Sequence, residues 1–166
     1  SEQFWADSVT IGDGAVRVLS PVDTVLHAAV HLFADPEFDG RFRDLLDLDA
    51  LLKMFGTDDG FWSALAARAR AQGLGRPLYY AVEVLRRVLS TPVPSWVERE
   101  VRALGPPAVV GRSMNRTLTT VLAPIDPEPW PAPHRGLRWL LYVRSHWLRM
   151  PAHLLVLLAG PRPRSF

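Results

Sequence analysis

The chain has 166 residues, 48% of them hydrophobic and including six Trp and seven Phe. That supplies one domain, or one with a small appendage, with a real core and excludes the disordered class. There is no Cys, so neither a disulfide framework nor a thiolate zinc site exists. Charge is uneven: residues 1–60 hold twelve acidic against four basic side chains, residues 61–166 five against fifteen, and the formal net charge is +2.

Eighteen of the nineteen basic residues are Arg, whose planar fork suits phosphate and carboxylate groups. They are scattered among Ala and Leu with no clear stripe, so the reading is a solvated basic surface, and nucleic acid is not an expected partner. No N-terminal stretch reads as a signal peptide. The longest apolar run, "HLLVLLAG" at His153–Gly160, is far short of the roughly 20 residues a membrane span requires. No transmembrane segment is expected, and the cytoplasm is the expected location.

In chain order, residues 1–19 contain two β-prone runs, Val9–Ile11 and Ala15–Leu19, around "GDG" at Gly12–Gly14. Glycines at such a turn supply the backbone freedom a tight hairpin needs. A lone hairpin is marginally stable, so this one should pack on the bundle or form the edge of a sheet completed elsewhere. Residues 20–122 read as a helical bundle. Ser20-Pro21-Val22-Asp23 is a helix start, with Ser at the N-cap, Pro at the first helical position and an acid at the third. Val22, Val25, Leu26, Ala29, Val30 and Phe33 then keep the spacing of one buried stripe. Further helices are expected over about 41–55, 59–71, 77–89, to about 104 after a Ser95 cap, and to about 122 after "GPP". The run "APIDPEPWPAPH" has five Pro in twelve residues and reads as a linker, residues 123–133. Residues 134–166 read as basic, aromatic helices packed on the bundle. The expected fold is mainly α, with about six to eight helices and a short N-terminal β-hairpin.

The candidate chemistry lies on the first two helices. His27 and His31 are four apart, one turn, and fall opposite the apolar stripe beside Asp23 and Thr24. Such a pair is half a metal site, a face turned to a ligand or another domain, or two solvated side chains. A zincin-type helix also needs a Glu general base, and here "AAV" separates the two His. A third ligand would have to be Asp44, Asp47 or Asp49. In "RFRDLLDLDALL", Arg41–Leu52, those carboxylates are threaded between large apolar residues. At least one must therefore border buried surface and need a partner, with Arg41, Arg43 or a histidine the expected one.

Together "FW" at Phe4–Trp5, "VLSPVDTVLHAAVHLF", "RDLLDLDALL" and "FWSALAARARAQGLGRPLYYAVEVLRRVLSTPVP" resemble the C-terminal half of the uncharacterised nucleotidyltransferase family, of the polymerase-β-like superfamily. The resemblance covers about Phe4 to Pro94. It implies a helical substrate-side or accessory domain in which His27, His31 and Asp47 match recurrent positions facing the catalytic domain or acceptor. Arg43 and Asp44 are their neighbours. In that superfamily a Gly-Ser turn and an Asp-x-Asp pair on a strand hold the metal-bound triphosphate. This chain has no Gly-Ser, and its one Asp-x-Asp, Asp47–Asp49, lies in a helical pattern. The resemblance therefore implies no catalytic, cofactor-binding or metal residue in this chain, with Mg²⁺ and a nucleoside triphosphate belonging to a fuller parent protein. The implied partner is a polymerase-β-like catalytic domain, in cis or in trans. Two rivals stand beside it. One is a stand-alone binding module anchored by Trp139, Tyr142 and Trp147 in the basic tail. The other is a small metal-dependent hydrolase using His27, His31 and an Asp.

Overall fold

A computed structural model describes residues 9–11, 16–34, 41–122 and 136. The expected "GDG" turn, the Pro-rich linker and the helices over 134–159, with Trp139, Tyr142 and Trp147, lie outside the described residues apart from Gly136. Strands β1 (Val9–Ile11) and β2 (Val16–Val18) pair antiparallel, with Val9 opposite Val18 and Ile11 opposite Val16. Among the described residues up to 122, six helices follow: α1 (Pro21–Ala34), α2 (Phe42–Phe55), α3 (Asp59–Ala71), α4 (Gly75–Val88), α5 (Ser95–Ala103) and α6 (Ala108–Leu122). The protein is mainly α, with the expected N-terminal hairpin.

The helix ends follow from side-chain chemistry. Ser20 caps α1: its Oγ accepts from the Asp23 amide at 3.1 Å and donates to Asp23 Oδ2 at 2.9 Å, so the cap and the third residue satisfy each other. Asp58 caps α3 by accepting from the Phe61 amide at 3.2 Å. That helix closes in a Schellman motif, with Gly73 at φ +68, the Leu74 amide on Ala69 O at 2.8 Å and the Gly73 amide on Arg70 O at 3.2 Å. Only glycine takes that φ without steric cost. Helix α4 begins at Gly75, two residues before the expected Pro77; Pro is tolerated in a first turn because its missing N–H would lack a helical partner anyway. At α5, Pro94 takes the N-cap place and no side chain caps the helix, so Ser95 is its first residue rather than its cap.

Helix α4 is the axis of the bundle, meeting α1, α3, α5 and α6. Every residue from Leu78 to Leu85 is buried, because a helix surrounded on several sides has no solvent face left. Leu78, Val84 and Leu85 lose all exposure, as do Val25, Leu26, Leu45 and Leu48 of the helices around them. Each such side chain contributes about 1.5–3 kcal/mol by leaving water. Trp62 of α3 is buried too, and its indole N–H donates to Gly56 O at 2.9 Å, which removes the cost of an unpaired donor. Among the described residues, no helix is long and apolar enough to cross a membrane.

Candidate functional site

The two histidines lie on the outer face of α1. Both are exposed, and one helical turn places their ring centroids 5.0 Å apart, tilted by 51°. Arg41, just before α2, ties this face to the next helix. Its Nη1 donates to His31 O at 3.1 Å and to Asp44 Oδ2 at 3.3 Å. The structure therefore gathers His27, His31, Arg41 and Asp44 along one exposed edge where α1 ends and α2 begins. Arg43 and Asp47 are also exposed, on the side of α2 turned away from its buried residues Leu45, Leu48, Asp49 and Leu52. No group of three or more His, Asp or Glu among the described residues is placed to hold a metal ion.

The Asp-x-Asp separates as helical geometry requires. Residues two apart on a helix point about 200° apart. Asp47 faces out, whereas Asp49 is buried and occupied on both oxygens, accepting from Thr91 Oγ1 at 2.5 Å and Lys53 Nζ at 2.7 Å. The two carboxylates cannot converge on one Mg²⁺, which would require both oxygens aimed at a single point. Asp49 is the carboxylate bordering the core, and its partners are Lys53 and Thr91. The expected Arg41 pairs instead with Asp44, because Arg41 sits at the start of the helix, two turns from Asp49.

Asp23 corrects the sequence reading. It was expected on the polar face with Thr24 and the histidines, yet it is 1% exposed. Helix α3 packs across this flank of α1 and brings Arg68, whose Nε donates to Oδ1 at 2.9 Å and Nη2 to Oδ2 at 3.0 Å. This two-pronged pairing, with the Ser20 hydroxyl as a third donor, offsets the desolvation of the carboxylate. Beside it opens a shallow cleft of about 430 Å³, lined by Ser20, Val22, Asp23 and the α3 residues Ala64, Ala67, Arg68 and Ala71. Ser-Pro-x-Asp is therefore a helix start and one half of a buried ion pair. Its partner lies 45 residues downstream, and no local signal marks which of many Arg it is.

A third buried acid, Glu83 of α4, is not singled out by sequence reasoning. It is 6% exposed and accepts from Arg87 Nη2 at 3.2 Å and Arg102 Nε at 3.3 Å. The one available signal was an acid amid eight consecutive buried positions, a pattern visible only once α4 is known to be central.

No curated protein and no solved structure matches this chain. The profile of the uncharacterised nucleotidyltransferases matches residues 1–90, which span both strands, helices α1 to α3 and all of α4, and so include Ser20, Asp23, the histidine edge and Asp49. With more than half its length matched, the chain belongs to the uncharacterised nucleotidyltransferase family.

Proposed function

We propose that this chain is a helical substrate-side or accessory domain of a nucleotidyltransferase, and that the metal-holding carboxylates act from a polymerase-β-like catalytic domain in cis or in trans. The observation that carries the reading is the state of its one Asp-x-Asp, with Asp49 committed to Thr91 and Lys53 while Asp47 faces solvent. In a family whose chemistry rests on Mg²⁺ held to nucleotide phosphates by paired carboxylates, a helical pair of this kind is structural. Mg²⁺ and the nucleoside triphosphate belong to the complete protein, and no step of the transfer is assigned to residues of this chain.

The edge formed by His27, His31 and Asp44, with Arg43 and Asp47 beside it on α2, is the face turned toward the catalytic domain or the acceptor. It suits that role because its side chains are exposed, polar and not needed by the core. The test begins with the coding sequence on both sides of residues 1–166. A segment with a Gly-Ser turn and a strand-borne Asp-x-Asp, in frame or in a neighbouring reading frame, is expected. With both parts and Mg²⁺ in one assay, replacing His27 and His31 with Ala should lower transfer and leave the melting temperature unchanged. No such segment in either place, or transfer indifferent to both histidines, contradicts the reading.

A further inference from the structure

Away from the histidine edge, helices α4, α5 and α6 enclose a cleft of about 380 Å³, within the usual range for a small-molecule site. Tyr79, Glu83 and Arg87 line it from one face of α4, one turn apart each. Arg102 comes from the end of α5, and Arg112 and Asn115 come from α6. Three guanidinium groups and one carboxylate therefore line the cleft, while Glu98, paired with Arg86 at 2.8 Å, also lies 3.7 Å from Arg102 Nη2. Glu83 answers Arg87 and Arg102, whereas Arg112 is exposed and makes no ion pair among the described residues. Pro106 and Ala108 also line the cleft, so the first turn of the 15-residue α6 opens there and adds its positive end to the excess.

The floor is polar as well. Asn115 is 1% exposed, and its Nδ2 donates to the Tyr79 hydroxyl at 3.0 Å while Oδ1 has no partner among the described residues. A buried acceptor left unpaired is costly and rare. Tyr79 itself is held in a slot built for it. A Cβ on Gly111 would lie 2.6 Å from its hydroxyl, and one on Gly105 would lie 2.6 Å from its ring. Neither position admits a side chain without displacing the ring.

We propose that this cleft binds a small phosphomonoester that also carries hydroxyl groups. The dianionic phosphate lies among Arg87, Arg102 and Arg112, and a hydroxyl donates to Asn115 at the floor. The guanidinium fork matches phosphate oxygens, and a net excess of two positive charges matches the dianion more closely than a single carboxylate. The site draws on residues beyond position 90 and stands independently of the nucleotidyltransferase reading, because it requires no metal and no triphosphate.

The test is calorimetric titration of the 166-residue chain with ribose 5-phosphate in EDTA. Ribose, inorganic phosphate and acetate serve as comparison ligands. Saturable binding of ribose 5-phosphate is expected, weaker for inorganic phosphate and absent for ribose and acetate. Arg112→Gln should weaken it about tenfold, as expected for loss of one charge-assisted contact. Arg116→Gln, an exposed Arg of the same helix outside the cleft, should leave binding unchanged. Because Arg112 is exposed and pairs with no side chain among the described residues, its variant should keep the parent melting temperature. No binding at millimolar ribose 5-phosphate, or equal losses in the Arg112 and Arg116 variants, would overturn the proposal.

Discussion

At the scale of single residues, the chain separates charges held for the fold from charges left on the surface. Asp23 is enclosed, and its two-pronged partner Arg68 is itself 22% exposed. Removing one member of a buried pair leaves the other uncompensated. Asp23→Ala should therefore lower unfolding free energy by about 3 kcal/mol, read from the shift of the urea midpoint at constant slope. A change under about 0.5 kcal/mol, typical of an open surface position, would show that the pair is not buried in solution. His27 and His31 should behave in the opposite way. The double substitution His27→Ala/His31→Ala is expected to stay within about 0.5 kcal/mol of the parent by the same measurement. Sequence located both histidines correctly, because their angle from the apolar stripe depends on one helix alone. It misplaced Asp23, because burial there comes from a second helix and from an Arg 45 residues away.

At the scale of elements, the helices were legible where local chemistry sets them. Ser20, Asp58 and Gly73 mark ends through a hydroxyl, a carboxylate and a left-handed turn, and the ends agree with those signals. Where no side chain caps, as at Pro94 and Leu74, the expected start slips by a residue or two. The turn after α4 is less well matched to its residue. Ser90 sits at φ 54, a region where a Cβ crowds the following carbonyl. Ser90→Gly should remove that crowding and stabilise the protein by about 0.5–1 kcal/mol, some of the gain being offset by the freer unfolded chain. A thermal melt of the variant checks it, and a lowered melting temperature would mean that the Ser90 side chain contributes something the backbone angle does not reveal.

At the scale of the whole molecule, α4 organises everything else. It carries Tyr80 and Leu78 into the core, Glu83 into the ion-pair cluster, and Tyr79 to the cleft beneath α6. The histidine edge lies on α1 and α2, and the arginine-lined cleft lies among α4, α5 and α6, so two polar surfaces are built on one apolar core. The first was legible from sequence because its residues are close together along the chain. The second was not, because Glu83, Arg102 and Asn115 come together only through the packing of three helices, and eighteen Arg give no hint of which three would converge.

We propose that the carboxylates holding metal and triphosphate lie outside this chain. The most direct test of this claim is titration of the 166-residue chain with a non-hydrolysable ATP analogue, in Mg²⁺ and in EDTA. Whatever affinity the arginine cleft gives the analogue should be no stronger in Mg²⁺ than in its absence. Affinity that appears only with Mg²⁺ and disappears in Asp47→Asn would contradict the claim and place a metal–nucleotide site on α2.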